Sequence, residues 1–295
     1  MKFSIRPGSC KEAVFSRLCG TSLRGSSAGF TLVEMVVVIA ILGIVVAMAA
    51  VFIRRPVESY VQSVARAELT DIADSAMRRI LRDLRLALPN SVRVANPGGA
   101  GQPFYLEFLL TSGGGRYRAD LTFPGTGDIL DFTAADASFD VLGPMPTFSG
   151  GESIVVYNLG PGFTGADAYA ATNKNLASYA SNTATTITLS AATLFPLSSP
   201  GKRFYVVQYP VTYVCDPGNQ EIRRYWNYPI AVAQATPPTG ATAAQLARKL
   251  NTCTITYTQN TAQGRNGVVS LWFKFTGSYG EVVSLFQEAH VSNVP

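Results

Sequence analysis

The chain has 295 residues, of which 15% are charged and 47% are hydrophobic. This composition excludes an intrinsically disordered chain, which is rich in charge and poor in apolar side chains. The net charge of +5 is concentrated in residues 1–29, which hold five basic residues and one acidic residue. Residues 30–295 therefore carry a net charge of only +1. A nucleic-acid-binding protein normally carries its basic patch on the folded domain, so we expect no nucleic-acid partner.

A long apolar run follows the basic N-terminal segment. It extends from Phe30 to Ile53, 24 residues in which Glu34 is the single ionisable side chain. Such a run predicts a transmembrane helix over residues 30–53, since a buried core helix would normally show a polar face. Basic flanking residues stay in the cytoplasm, which predicts a single-pass protein whose C-terminal part lies outside it.

Small residues lie before the apolar run, in Ser26-Ser27-Ala28-Gly29. An ordinary secretory signal has a shorter apolar segment and a small-residue cleavage site after it. Cleavage on the near side of the run would instead remove the basic leader and leave the helix in the membrane.

Gly29, then Phe30-Thr31-Leu32-Val33-Glu34 and a hydrocarbon run, resembles the class III signal of type IV prepilins and pseudopilins. In that family an inner-membrane prepilin peptidase cuts after the glycine and methylates the new terminal amine. The resemblance therefore implies a cytoplasmic leader over residues 1–29, cleavage between Gly29 and Phe30, and N-methylation of Phe30.

Glu34 is a candidate assembly residue. A carboxylate inside a bilayer is costly and marks a functional position by default. The resemblance implies that Glu34 pairs with a terminal amine, its own or that of a neighbouring subunit, and sets the register of an incoming subunit. The alternative is a protonated or snorkelling carboxylate at the membrane edge.

Partners and location also come from the resemblance. It implies prepilin peptidase, other major and minor pilins bound through the N-terminal helix, and an inner-membrane assembly platform powered by a cytoplasmic ATPase. The protein would lie in the bacterial inner membrane with its C-terminal domain in the periplasm, and then in a pilus or pseudopilus at the cell surface.

The helical pattern changes after Arg54-Arg55-Pro56. Pro56 lacks a backbone donor and should kink a continuing helix. Apolar residues then recur mostly three and four positions apart, which predicts an amphipathic continuation over residues 54–88 with one face on a sheet, or, alternatively, a coiled coil. Pro89-Asn90 should end the helix.

The rest of the chain, residues 89–295, has the texture of a mainly antiparallel β domain. The predicted fold is therefore α+β and pilin-like, with a long transmembrane and amphipathic helix packed on the β domain. One further helix is predicted at Ala241–Leu250, and a loop at residues 160–182. The predicted strands are Phe104–Leu110, Leu121–Phe123, Ile129–Phe132, Ser153–Tyr157, Thr185–Leu189, Phe204–Val214, Glu221–Trp226, Cys253–Thr258, Val268–Phe275 and Glu281–Val291.

Cys215 and Cys253 follow the membrane segment, whereas Cys10 and Cys19 precede it. If the C-terminal part lies outside the cytoplasm, Cys215 and Cys253 can form a disulfide there. Two free, buried thiols are the alternative.

A second resemblance rests on several later segments, which are Arg82–Arg85, Ala87–Arg93, Val214–Asp216, Arg224-Tyr225, Cys253 and His290–Pro295. These segments resemble the O protein family of mannose-sensitive haemagglutinin (MSHA) pilus biogenesis. The resemblance implies a minor pilin that initiates or caps an MSHA-like pilus; a minor pseudopilin of type II secretion and a tip adhesin are the alternatives.

Catalytic and metal-binding patterns are weak. His290 is the single histidine, and the one G-x-S-x-G match, Gly25 to Gly29, lies in the leader without a strand before it. Asp128, Asp131, Asp136 and Asp140 form a loose acidic set that lacks EF-hand spacing, so a solvated loop is favoured over calcium binding. We expect no enzymatic activity, no cofactor and no metal.

Overall fold

A computed structural model of the chain describes residues 29–259 and 266–295. Residues 1–28, which hold almost all of the predicted leader and its two cysteines, lie outside the described residues. The chain divides into two compact units, one ending at Val57 and the other comprising Glu58–Pro295.

Helix α1 runs from Leu32 to Leu84 and contributes to both units. In the first unit its residues through Val57 are exposed, including the valine- and isoleucine-rich run. β-branched residues lower helix propensity in water. In hydrocarbon, however, a helix is the one single-segment structure that satisfies its own backbone groups, which explains a helical state for this sequence.

In the second unit, α1 buries one face. Its fully buried side chains are spaced three, four and one positions apart, as an amphipathic helix requires, and they join the core formed by two sheets. They are Leu69, Ala73, Ala76, Met77, Ile80 and Leu84. The predicted packing of the amphipathic segment on a β domain is therefore confirmed.

The helix ends at Leu84, four residues before the predicted end at Leu88. The backbone of the next residues forms hydrogen bonds with a strand instead. The Leu88 N–H donates to the Leu109 carbonyl (2.8 Å), and the Thr111 N–H donates to the Leu86 carbonyl (2.9 Å). Pairing with a sheet edge replaces the last helical turn, an outcome that local periodicity does not reveal.

Twelve strands follow the helix. They are β1 (Arg93–Ala95), β2 (Phe104–Tyr117), β3 (Asp136–Leu142), β4 (Ser153–Val156), β5 (Leu176–Asn182), β6 (Thr186–Thr193), β7 (Arg203–Asp216), β8 (Glu221–Trp226), β9 (Thr242–Arg248), β10 (Leu250–Gln259), β11 (Asn266–Thr276) and β12 (Val282–Ser292). Every pairing between these strands is antiparallel. The predicted α+β class is confirmed.

The first nine strands form one sheet in the order β1-β2-β3-β6-β5-β4-β7-β8-β9, and β2 also pairs with β7. This additional pairing closes six strands, β2-β3-β6-β5-β4-β7, into a ring. Large side chains from its strands and loops fill the ring, among them Tyr117, Phe139, Phe195 and Phe204. Each of the four short strands in the ring, β3, β4, β5 and β6, has a neighbour on both sides, so none presents a free edge open to wrong pairing.

A second core lies between α1, the strands β1, β2, β7, β8 and β9, and the separate sheet β10-β11-β12. Phe108 and Tyr213 come from the large sheet, and Phe273 and Phe275 come from the small one. All four of these side chains are completely buried, so the small sheet is part of the same hydrophobic core.

The helix predicted at Ala241–Leu250 was wrong: Thr242–Arg248 is strand β9. Alanine, glutamine and leucine favour a helix locally. The segment instead pairs with β8 from Trp226↔Thr242 to Glu221↔Arg248, and Ala247 is buried in the core. Tertiary pairing outweighs a propensity difference of a few tenths of a kcal/mol per residue.

Two short predicted strands are also absent, Leu121–Phe123 and Ile129–Phe132. Phe123 lies in a turn closed by a bridge between Thr122 and Thr126, whereas Leu130 is buried against the ring. Conversely, β5 occupies part of the predicted loop at residues 160–182. Its alternation of Ser, Ala and Asn lacks the β-branched residues that indicate a strand.

Candidate functional site

The N-terminal segment places Gly29, Phe30 and Thr31 immediately before helix α1. Thr31 caps the helix: its Oγ1 accepts a hydrogen bond from the Glu34 N–H (3.2 Å), and its carbonyl accepts one from the Met35 N–H (3.2 Å). Threonine at the N-cap with glutamate three positions later is the sequence of a capping box. Phe30 is 73% exposed, so the predicted cleavage point precedes a defined helix start and is not buried.

Glu34 lies in the first turn of α1, near the positive end of the helix dipole. Its main-chain N–H is satisfied by Thr31, and its side chain is exposed in the isolated chain. The carboxylate is therefore available to a group outside this helix, and the first turn is already stabilised by Thr31. The capping role of Thr31 could have been recognised in the sequence from the T-x-x-E spacing.

Among the described residues, α1 is the one helix long and apolar enough to cross a membrane, judged by length and composition. None of its most apolar 18-residue window is buried in the protein. A soluble core helix of this hydrophobicity would be covered by protein, because so much apolar surface is unfavourable in water. The helix fits a membrane anchor.

A family model described as the prokaryotic N-terminal methylation motif matches residues 24–50. The chain carries a prepilin-type signal. This match supports a type IV pilin-like protein with an inner-membrane anchor, a structural subunit processed by prepilin peptidase and assembled with other pilins. No curated protein and no solved structure matches the chain. The matched residues end before every segment that carries the narrower MSHA resemblance.

The structure brings Cys215 on β7 close to Cys253 on β10. Their Cα atoms are 6.5 Å apart, within the range that a disulfide spans, and both residues are buried. A bond here would join the large sheet to the small sheet, two layers of one core. The disulfide between Cys215 and Cys253 stays a prediction.

Asp83, near the end of α1, lies in a buried polar cluster that sequence reasoning missed. Its Oδ2 accepts hydrogen bonds from Arg224 Nε (2.8 Å) and from the Tyr213 hydroxyl (2.7 Å), while Arg79 Nε lies 3.2 Å from Oδ1. Asp83 and Arg224 are 4% and 6% exposed. Burial, and then the Asp83 carboxylate, raises the pKa of Tyr213, which therefore stays neutral and donates.

The Arg224 guanidinium also lies 4.9 Å from the centre of the Trp226 ring. The cluster thus fixes the C-terminal turn of α1 on β7 and β8 by directional contacts. Asp83 and Arg224 both belong to segments that carry the MSHA resemblance.

A second buried carboxylate, Glu107 on β2, is 1% exposed. Arg93 donates to Glu107 Oε1 through Nε (3.0 Å) and Nη2 (2.6 Å), and its guanidinium covers the Tyr169 ring at 3.8 Å. Burial raises the pKa of Glu107, and the contact with Arg93 opposes this shift. The pair connects β1 with β2.

The aspartates of the predicted acidic loop accept hydrogen bonds from other groups of the protein. Asp140 accepts from the Asp128 N–H (3.1 Å) and from Arg118 (3.1 Å), contacts that lower the pKa of Asp140. Asp131 accepts from Thr133, which lowers the pKa of Asp131. Within residues 29–259 and 266–295, no group of three or more His, Cys, Asp or Glu side chains is placed to hold a metal ion.

His290 is exposed on β12, where it lies opposite Val268 of β11. Its neighbours on that face of the strand are Glu288 and Ser292.

Proposed function

We propose that the chain is a minor type IV pilin-like subunit that acts in initiation or at the tip of an MSHA-like pilus. The observation that carries the proposal is the methylation motif at residues 24–50, which includes the start of α1, a helix whose most apolar window is not buried. In this account residues 1–29 form the leader, prepilin peptidase cuts between Gly29 and Phe30, and Phe30 is methylated.

The large second unit supports a low-copy role. A major pilin packs densely along a fibre, where a bulky body is unfavourable. Here the β domain contains a closed six-stranded ring in addition to the sheet on which α1 packs. A body of this size is accommodated more easily at the end of a fibre than in each repeat.

Glu34 is the proposed assembly residue. After cleavage, the amine of Phe30 would lie one residue before the Thr31 cap, on the same helix end as the Glu34 carboxylate. In hydrocarbon, an unpaired carboxylate and an unpaired ammonium are both unfavourable, so a carboxylate–amine pair between neighbouring subunits would select one axial register.

The partners proposed with this function are other major and minor pilins, an inner-membrane assembly platform and the cytoplasmic ATPase that powers it. The β domain would lie in the periplasm before assembly, where the Cys215–Cys253 disulfide can form. A minor pseudopilin of type II secretion shares the same anchor and is the second candidate. A fibre role and a secretion role are separated by whether the protein is recovered in sheared surface fibres.

The test compares Glu34→Gln with Glu288→Gln, a matched change at an exposed residue of β12. We expect both variants to be processed and to reach the membrane. Glu34→Gln should be lost from sheared fibres, since the register contact is missing, while Glu288→Gln is incorporated normally. Incorporation of Glu34→Gln at the level of the unmodified protein would contradict the assembly role.

A further inference from the structure

A cavity of about 450 Å³ lies beside the six-stranded ring, next to the last described residues of the chain. Its walls differ in chemistry. Tyr157, Phe163 and Pro200 give flat apolar surfaces, Asn90 and Gln259 give amides, and Arg203 gives a positive charge. A pocket of this size with a few convergent polar groups is typical of a small-molecule site.

The amide wall is held in place by its own hydrogen bonds. Asn90 Nδ2 donates to the carbonyls of Asn158 (2.9 Å) and Asn293 (3.1 Å), and Gln259 Nε2 donates to Asn90 Oδ1 (3.3 Å). Asn90 and Asn293 are themselves buried. Because these contacts fix the side chains before any ligand arrives, little ordering would be needed on binding.

Tyr157 adopts a backbone conformation that is rare for a bulky residue, with φ at 53°. Such a conformation is unfavourable and persists where the surrounding structure imposes it, often at a binding site. Here the side chain packs against the ring core and also lines the cavity. Phe163, which also lines the cavity, is 53% exposed although it is a large aromatic residue.

Arg203 adds a positive charge that forms no ion pair among the described residues. It lies directly opposite Arg116 in the β2–β7 register, and both side chains line an adjoining hollow of about 420 Å³. Like charges directly opposite each other destabilise a sheet. Within the described part of the chain neither arginine has an acidic partner, whereas the adjacent Lys202 and Arg118 bind Asp120 and Asp140.

We propose that this cavity binds a short saccharide that carries a carboxylate. The Arg203 guanidinium, next to Arg116, would bind the carboxylate through paired hydrogen bonds. The rings of Tyr157 and Phe163 would pack against the C–H faces of a sugar. The side-chain oxygen and second N–H of Gln259, which the amide wall does not use, would bind hydroxyl groups. A neutral sugar leaves the arginine pair unused, and a free inorganic anion leaves the aromatic wall unused.

This inference goes beyond the subunit role and holds equally for a pilus and for a pseudopilus. It is tested by isothermal titration calorimetry on the full chain in detergent. The probes are trigalacturonate, a neutral galactose trisaccharide of the same length, and inorganic phosphate. We expect trigalacturonate to bind at least about tenfold more tightly than the neutral trisaccharide, since a hydrogen bond to a charged group contributes about 1.5–3 kcal/mol.

Two variants locate the site, each with a matched control. Arg203→Ala should weaken trigalacturonate binding at least about tenfold, and Phe163→Ala should weaken it by a factor of about 2 to 10. Arg85→Ala and Phe123→Ala, changes of the same kind at exposed residues outside the cavity, should leave it unchanged. All four positions are exposed, and circular dichroism checks that each variant folds.

Three results would overturn the proposal. One is that the charged and neutral trisaccharides bind equally tightly, or that neither of them binds. The second is full displacement of trigalacturonate by an equal concentration of phosphate, which would indicate an anion site without sugar recognition. The third is equal weakening by Arg203→Ala and Arg85→Ala, which would indicate a non-specific charge effect.

Discussion

At the scale of residues, the contact of Asp83 with Arg224 has the largest expected effect on stability. Replacing Arg224 with methionine removes one partner and leaves a carboxylate that is 4% exposed. We expect the free energy of unfolding to fall by about 3–5 kcal/mol, the usual result of breaking a buried pair. Urea unfolding of the full chain in detergent, followed by the fluorescence of Trp226 and Trp272, measures it.

The control is Arg223→Met, at the neighbouring position of β8. The Arg223 side chain is 42% exposed, and its contact with Glu221 lies at the surface. Surface ion pairs contribute about 0–1 kcal/mol. Equal destabilisation by the two variants would show that Arg224 stabilises the fold through its strand position and not through Asp83.

Glu107 gives a prediction about pH. Because burial raises its pKa above the ordinary 4.5, the folded state binds this proton more tightly than the unfolded state does. The contribution of Glu107 to the free energy of unfolding therefore decreases as the pH rises from about 4.5 towards 7. We expect the Tm of the unmodified protein to fall relative to that of Glu107→Gln over this range.

Differential scanning fluorimetry at several pH values measures this difference in Tm. Glu288→Gln, at an exposed residue, is the control for the loss of one surface carboxylate. A Glu107→Gln difference that does not change with pH, or that rises with pH, would show that Arg93 outweighs burial and that Glu107 is readily ionised in the folded protein.

Asp83 also shows what the sequence leaves open at this scale. In the helix pattern it is one charged residue between apolar ones, and a solvated position is the ordinary expectation. Its partner is 141 positions away on β8. By contrast, Gly29, Phe30 and Glu34 form a contiguous motif, so their candidate roles could be read from sequence alone.

At the scale of elements, the buried face of α1 is the main link between helix and sheets. Ile80→Ala should lower the free energy of unfolding by about 2–5 kcal/mol, because a fully buried side chain is replaced by a cavity. Val64→Ala, on the same helix at a side chain that is 49% exposed, should have an effect within about 0.5 kcal/mol. Urea unfolding of both variants measures the two values.

A similar loss in both variants would contradict the assignment of one buried face to α1. It would favour the alternative in which this segment associates with another helix, as in a coiled coil, and buries Val64 there.

Elements were predictable where local pattern and long-range structure agree. The long apolar run and the amphipathic pattern after it predicted one helix, within a few residues of its observed ends. Strand β8 was predicted with its observed bounds. β9 was mistaken for a helix because its pairing with β8 is invisible to propensity. β3 and β5 were missed because their positions depend on ring closure, a long-range property.

At the scale of the whole molecule, the cysteine pair tests the compartment assigned to the β domain. Intact mass spectrometry after alkylation in denaturant, without reduction, should show Cys215 and Cys253 unmodified when the protein is isolated from membranes. Cys215→Ser together with Cys253→Ser should then lower the free energy of unfolding by roughly 4 kcal/mol, as the chain-entropy model gives for a loop of this length.

Alkylation of both cysteines in the unmodified protein would contradict the prediction and favour the alternative of two buried thiols. Reduction before alkylation provides the control, since it should make both sites reactive once the protein is unfolded.

The arrangement of the whole β domain could not be predicted from the sequence. Its class follows from strand-like segments separated by glycine- and proline-rich turns, but the order β2-β3-β6-β5-β4-β7 depends on which distant edges meet. The cavity beside the ring is likewise assembled from Asn90, Tyr157, Arg203 and Gln259, residues that no local motif connects.

The central claim is that the chain is processed as a prepilin, and N-terminal peptide mass spectrometry tests it most directly. The protein is taken separately from membranes and from sheared surface fibres. We predict a terminal peptide that begins with N-methylated Phe30 in both fractions, with the fibre fraction favouring a pilus over a secretion role. A chain that still begins near Met1 in both fractions would contradict the account.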